Sequence, residues 1–369
     1  MNKILTFAKN NVVMLIAAAA AIITSIIVPP DSQYIDYFDF KTLTCLFCVL
    51  AVICALRNVR FFYTLAKAIV RRFKTARFAV LALVYITFIG SMLIANDMAL
   101  LTFLPLGYFV LHTTGKDKYM AFTFIMQNIA ANLGGMLTPF GNPQNLYLYS
   151  KFNIPDLEFI EIMIIPFTVA VILITLCCLI FVKSEPLVIT EKAASLPWPR
   201  VIVYLILFLF SIIIVFKWIP YYYGLIVIPL AIFLLDREAL KQVDYGLLLT
   251  FVFFFIFSGN MARIDAVRDF FSYLLEKNTL VVSALSCQFI SNVPSAVLLS
   301  QFTENYRHLL LGVNIGGAGT LIASLASLIT FREYSKQDPG HTARYILKFS
   351  LFNFAFLGIL ISVCLIFNI

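Results

Sequence analysis

Four short stretches bring polar side chains into a chain that is otherwise mostly hydrocarbon. The first is Ala95-Asn96-Asp97, which interrupts the apolar run ARFAVLALVYITFIGSMLI before MALLTFLPLGYFVLH resumes. An ionised carboxylate inside a bilayer costs about 2.5–3.5 kcal/mol on insertion scales, so Asp97 calls for a cation, a donor network or water. Two chemistries answer that need: Asp97 takes part in binding a coupling Na⁺, or it is the site of a coupling proton. A structural reading also fits, in which Asp97 caps the return arm by accepting from its exposed N–H groups. The two roles are compatible.

The second stretch, Ser291-Asn292-Val293-Pro294, interrupts LVVSALSCQFI and SAVLLSQF in the same way. Pro294 suits the first turn of a returning helix, where its missing N–H costs little. Ser291 and Asn292 supply oxygen and amide groups at the tip. Taken alone this is a tight turn; its likeness to the stretch around Asn96 makes it a candidate site.

The third and fourth stretches are NLGGMLTPFGNPQN at 132–145 and NIGGAGTLIASLAS at 314–327. Gly134-Gly135 and Gly316-Gly317 permit backbone conformations and close approaches that other residues resist. Pro139, Gly141 and Pro143 then keep a regular helix from resuming at once. Unpaired backbone at membrane depth is tolerable only where it is buried in protein or lines a wet cavity. There its carbonyls can coordinate a cation, while N–H groups at half-helix starts attract an anion. Asn132, Thr138, Asn142, Asn145, Asn314, Thr320 and Ser324 add neutral polar ligands. Helix packing through small residues accounts for Gly312-x-x-x-Gly316 and for the glycines of 132–145, but not for the prolines and asparagines. Asn128 and Ser327 read as interhelical hydrogen bonds.

The elements that must position these residues are membrane helices. The 369-residue chain is 62% hydrophobic and 12% charged, with a mean hydropathy of +0.95. Charge-free apolar runs recur from end to end, so the fold class is an all-α polytopic membrane protein lying in the lipid bilayer. The alternation of a β-barrel does not appear. The net charge of +8 does not imply a nucleic-acid partner, because the cations lie at the ends of apolar runs. Cys45-Leu-Phe-Cys48 has no second pair or nearby histidine and reads as buried thiols. The three histidines are scattered and no phosphate-binding loop is present, so neither a permanent cofactor nor nucleotide-driven work is expected. The first apolar run continues to Val28 and reads as a span rather than a cleaved leader.

Single crossings fall near 11–29, 40–56, 158–182, 200–218, 221–235, 243–259 and 343–367. The remaining pieces are two re-entrant hairpins, 76–113 and 279–302, and two interrupted helices, 119–149 and 306–330. This gives one integral membrane domain over 1–369 with about nine full crossings plus two hairpins. The same order occurs twice, in 11–182 and in 200–369: a span opening at an Asp-aromatic pair (Asp39-Phe40, Asp244-Tyr245), a charged amphipathic stretch (57–74, 262–277), a hairpin, an interrupted helix and a plain span. With the amino terminus cytoplasmic, 20 of the 27 Lys and Arg residues fall inside and 7 outside. One hairpin then enters from each side, so the repeats are inverted, as in alternating-access secondary transporters.

AND-MALLTFLPL at 95–106, NLGGMLTPFGNPQN at 132–145, SNVPSAVLL at 291–299 and NIGGAGT at 314–320 together resemble the ion transporter superfamily. The likeness lies in its citrate-transporter-like and arsenite/sodium-proton permease branch, the anion permeases. The resemblance implies hairpins meeting interrupted helices at a central site, an elevator-type movement of that unit, and a homodimer in many members. It also implies a cell-membrane location and a small anion substrate between the hairpin tips. One cation site would use Asn96 with groups near Asn132 to Asn142, and a second would use Ser291 and Asn292 with Asn314 to Ser324. The dicarboxylate branch carries Ser-Asn-Thr at both tips. Here the tips read Ala-Asn-Asp and Ser-Asn-Val, which moves the reading toward the arsenite/sodium-proton branch, with Na⁺/H⁺ antiport or arsenite-type efflux as the alternative.

Overall fold

The computed structural model describes residues 11–187 and 195–369. The amino-terminal cations Lys3 and Lys9, together with Lys192, on which part of the orientation argument rests, lie outside the described residues. Among the described residues the chain is helical, with no strand beyond the isolated bridge between Thr75 and Pro186.

Two groups of helices can be told apart by what packs on what. The first contains α1 (Val12–Ile27), α2 (Phe40–Asn58), α9 (Trp198–Val215), α10 (Tyr221–Leu235), α11 (Arg237–Lys241) and α12 (Tyr245–Ala262). Here α1 lies along α12, and α2 lies against α9 and α10. Asp39 and Asp244, the two Asp-aromatic pairs of the sequence, cap α2 and α12: they accept from Thr42 N at 2.9 Å and Leu247 N at 2.8 Å. Cys45 and Cys48 are buried on α2, the latter facing Gly224 of α10.

The second group holds the hairpins and the broken helices. Its first half is α4 (Ala76–Ile94), α5 (Asn96–Thr113), α6 (Met120–Gly134), α7 (Pro143–Lys151) and α8 (Asp156–Phe181). Its second half is α13 (Asp265–Ile290), α14 (Asn292–Leu299), α15 (Tyr306–Ile315), α16 (Leu325–Gln337) and α17 (Thr342–Phe367). The remaining helix, α3 (Phe61–Val70), touches both α2 and the α4–α5 hairpin. The two halves of this group interlock: α5 packs on α16, and α14 packs on α7.

Helix lengths refine the spans. Among the described residues six helical segments are long and apolar enough to cross a membrane. At 16 and 15 residues, α1 and α10 reach about 24 and 22 Å, short of a hydrocarbon core of about 30 Å. The amphipathic stretch at 262–277 and the leading arm of the second hairpin follow one another as the two parts of α13, joined across a kink at Asn278. Asn278 has φ −166° and ψ 94°, and its side chain accepts from Val281 N to restart the helix. The interrupted helix that opens at 306 continues through α16 to Gln337, seven residues beyond the apolar run, because its last turns carry charge and escape a hydropathy reading.

Both hairpins turn on a single residue. Ala95 has φ 63°, ψ 152° and Ser291 has φ 74°, ψ 159°. Each is followed directly by an asparagine whose side chain accepts from the next backbone N–H: Asn96 from Asp97 N and Asn292 from Val293 N, both at 2.9 Å.

Candidate transport site

Each hairpin tip is fastened to the break beside it. In the first half Asn96 Nδ2 donates to Asn132 Oδ1 at 3.2 Å, and Thr138 Oγ1 donates to the carbonyl of Met92 at 2.8 Å. In the second half Asn292 N donates to Ala323 O at 2.9 Å, and Thr320 Oγ1 donates to the carbonyl of Gln288 at 3.0 Å. Met92 and Gln288 stand four residues before Asn96 and Asn292, so the two threonines make the same bond one helical turn below each tip. Asn132 and Asn314 also hold their own helices alike, donating to Asn128 O and Leu310 O.

The glycines serve closeness more than unusual backbone. Gly134, Gly135 and Gly316 have ordinary right-handed conformations. A Cβ on Gly134 would stand 2.3 Å from Phe88 O, and one on Gly316 would stand 2.9 Å from Ala284 Cα. These glycines let α6 press against α4 and α15 press against α13. Gly135 and Gly141 face each other within the loop, where a Cβ on Gly141 would lie 2.3 Å from Gly135 O. Gly317 sits where the halves meet, its Cβ position 3.2 Å from Asn292 Nδ2 and 3.5 Å from Asn132 Oδ1. Of the break glycines only Gly319, at φ 145°, requires a conformation that other residues avoid.

A network of neutral amides joins the two breaks. Asn142 Nδ2 donates to Asn132 O at 3.3 Å and to Asn314 Oδ1 at 3.2 Å. Asn314 Nδ2 donates to Asn145 Oδ1 at 2.6 Å, and Gln144 Nε2 donates to Asn314 Oδ1 at 3.4 Å. Asn145 Nδ2 in turn faces the carbonyls of Gly135, Met136 and Thr138 at 3.1, 3.3 and 3.2 Å. Asn145 therefore clips the first break shut from within and is fully engaged. Two acceptors near it, Asn142 Oδ1 and Gln144 Oε1, are buried without a partner among the described residues.

Other sequence-singled residues lie at the edges of this centre. Pro143 opens α7, and Pro294 is the third residue of α14. Ser291 Oγ reaches Asn292 Oδ1 and Ala323 O only at 3.4 Å. Ser324 caps α16 by accepting from Ser327 N at 3.2 Å, so Ser327 bonds within its own helix start rather than between helices. Asn128 does cross between helices, donating to Asn353 and accepting from Thr330, both at 3.4 Å.

Asp97 stands apart from the amide network. It lies in a mostly apolar crevice with Leu46, Val49, Phe140, Pro143 and Asp244. The residue in the cap position of α5 is Ala95, and the Asp97 N–H is taken by Asn96, so Asp97 does not cap its helix. Its Oδ1 is buried without a hydrogen-bond partner among the described residues.

Gln288 escaped the reading of the sequence. Its Nε2 donates to Gly316 O at 2.9 Å and to Ala284 O at 3.0 Å, while its Oε1 accepts from Thr320 N at 2.9 Å. It holds the second break as Asn145 holds the first. The available signal was a lone amide inside the apolar arm LVVSALSCQFI, one turn before the tip.

Broken helices that meet hairpin tips at a buried polar centre, within a bundle of apolar helices, make the build of a multi-pass membrane transport protein. Comparison with known sequences gives the family. Residues 4–306 match the citrate transporter family model, CitMHS, and the chain belongs to that family. It is 35% identical over 295 residues to the uncharacterized transporter MJ0456 of Methanocaldococcus jannaschii, covering 80% of this chain and 81% of that protein. It is 28% identical over 277 residues to the inner membrane protein YbiR of Escherichia coli, covering 74% of each.

Proposed function

We propose that the protein is a secondary active transporter that moves a small inorganic or organic anion across the cell membrane, driven by coupled Na⁺ or H⁺. The observation that carries this reading is the twinned centre. Asn96 and Asn292 follow turns of like geometry, and the breaks beside them share hydrogen bonds through Asn142, Asn145 and Asn314. Such a centre offers N–H groups to an anion and oxygens to a cation with no fixed charge to neutralise. The substrate sits between the hairpin tips. The free acceptor Asn142 Oδ1 is a ready ligand for a coupling cation near Asn96 and Asn132.

In this reading 11–182 and 200–369 are inverted repeats, with about nine crossings plus two hairpins and a cytoplasmic amino terminus. The hairpins and broken helices ride as an elevator against α1, α2 and α9 to α12, in a homodimer. A second reading rests on Asp97. A half-buried carboxyl whose Oδ1 has no hydrogen-bond partner among the described residues, in one crevice with Asp244, suits cation/proton antiport or arsenite-type efflux, with Asp97 as the exchange site.

The test is flux into liposomes holding the purified protein, with Na⁺ and pH gradients imposed separately over a panel of anions. Uptake of an anion under one gradient is the expected result. Na⁺-driven proton movement with no anion flux would overturn the first reading in favour of the second.

A further inference from the structure

The 21 residues of 57–77 carry seven cations and no Asp or Glu. The chain leaves α2 at Asn58 and enters α4 at Ala76, two helices long and apolar enough to span, so the link between them runs along a membrane face. Within it α3 buries Phe62, Ala66 and Val70 against the protein. Beside them Leu65 and Ile69 are exposed, 49% and 38% accessible.

The seven cations divide by what they touch. Arg57 reaches Met98 Sδ at 3.6 Å, Arg77 donates to Val182 O at 2.7 Å, and Lys67 stands 4.7 Å from the centre of the Phe109 ring. The side chains of Arg60, Arg71, Arg72 and Lys74 are exposed and make no ion pair or hydrogen bond among the described residues. Two carboxylates tied to this part of the chain are already engaged. Asp236 accepts from Asn58, and Glu185 accepts from Lys116 and Lys118.

The comparable amphipathic stretch in the other half is built differently. Residues 262–277 hold three cations and three acids. Arg263 pairs with Asp31 at 2.7 Å, Arg268 pairs with Asp265 at 2.6 Å, and Lys277 lies over the Tyr273 ring. Orienting a chain in the membrane requires a bias in charge between loops, but not four exposed cations, unpaired among the described residues, around an exposed Leu65 and Ile69.

We propose that α3 and its flanking Arg60, Arg71, Arg72 and Lys74 form a docking surface for the phosphate headgroups of anionic phospholipids. Leu65 and Ile69 enter the acyl region while the four cations meet the headgroups, the division of labour of an interfacial amphipathic helix. Because α3 touches α2 on one side and the α4–α5 hairpin on the other, headgroup binding bears on both groups of helices at once. This inference needs only a membrane-embedded chain, so it stands or falls apart from the choice of substrate.

The test places the full-length protein in phosphatidylcholine nanodiscs, titrates phosphatidylglycerol, and counts retained lipid by native mass spectrometry. The wild type should retain phosphatidylglycerol in preference to phosphatidylcholine. The variant R60Q/R71Q/R72Q/K74Q should bind it on the order of 100-fold or more weakly, from about 1 kcal/mol per cation near an anionic surface. R60K/R71K/R72K, which keeps the charge, and R268Q/K277Q, which alters the other stretch, should bind as the wild type does. Equal retention by the neutralised variant, or equal loss in R268Q/K277Q, overturns the proposal. Displacement of the lipid by inorganic phosphate also overturns it, since the site would then be one for free anions. If the neutralised protein does not fold, photo-crosslinking of a phosphatidylglycerol probe to the wild type decides: adducts within 60–74 support the surface, and adducts confined elsewhere defeat it.

Discussion

Asn314 on α15 donates to Asn145 on α7 at 2.6 Å, so a residue of one broken helix holds the side chain that closes the other break. The Asn145 amide is thereby aimed at the carbonyls of Gly135, Met136 and Thr138. The clip of the first break is thereby tied to the opposite half of the molecule, whereas Gln288 holds the second break from within its own half.

Asn145→Ala leaves those carbonyls and the Asn314 amide without their partner, at a cost of about 3 kcal/mol. Asn145→Asp should fare no better: it keeps the acceptor for Asn314 but loses every donor. Both variants should unfold at lower denaturant concentration in detergent and lose transport. A stable Asn145→Asp protein would show that the clip is dispensable.

Two glycine substitutions should part company. Gly134→Ala drives a Cβ to 2.3 Å from the backbone oxygen of Phe88 and should cost at least about 2 kcal/mol. Gly358→Ala on α17, where a Cβ meets nothing within 4 Å, should be neutral or stabilising by up to about 1 kcal/mol. Thermal midpoints of the two variants against the wild type decide the matter.

Asp97→Asn replaces a carboxyl whose Oδ1 has no hydrogen-bond partner among the described residues. The thermal midpoint should stay the same or rise, while coupled transport should be lost. Full gradient-driven flux in this variant would mean that the carboxylate is not the coupling site.

One lever on acid stability lies just past α8. Glu185 accepts from Lys116 and Lys118 at 2.8 and 2.5 Å and from the Tyr119 hydroxyl at 3.0 Å. These donors hold its carboxyl at about 2, below the ordinary 4.5. A depressed folded value means that the contribution to stability is fully present above the unfolded value and fades as pH falls from about 4.5 toward about 2. Glu185→Gln should be the less stable protein at pH 7, and the difference should vanish toward pH 2. An unchanged gap across that window would remove Glu185 from the account.

The tips and breaks could be seen in the sequence because Gly, Pro and Asn are costly in a membrane helix unless something requires them. Asn96, Asn132, Asn142 and Asn314 do come together. What stayed hidden depends on distance in the chain. Gln288 looked like a stray amide because its partners, Gly316 and Thr320, arrive only when α15 packs on α13. The position of Asp244 beside Asp97 joins segments almost 150 residues apart. The reason for Gly134 and Gly316 was only half legible: closeness to a neighbouring backbone cannot be read from one strand of text.

Ala95 and Ser291 hold the two tips in a conformation that is almost the preserve of glycine, at about 1–3 kcal/mol each. Glycine would make either turn without that tension, yet neither tip uses it. A movement that lets Ala95 or Ser291 leave its present angles recovers this energy at the polar centre itself. The molecule rests with two springs compressed, one in each half.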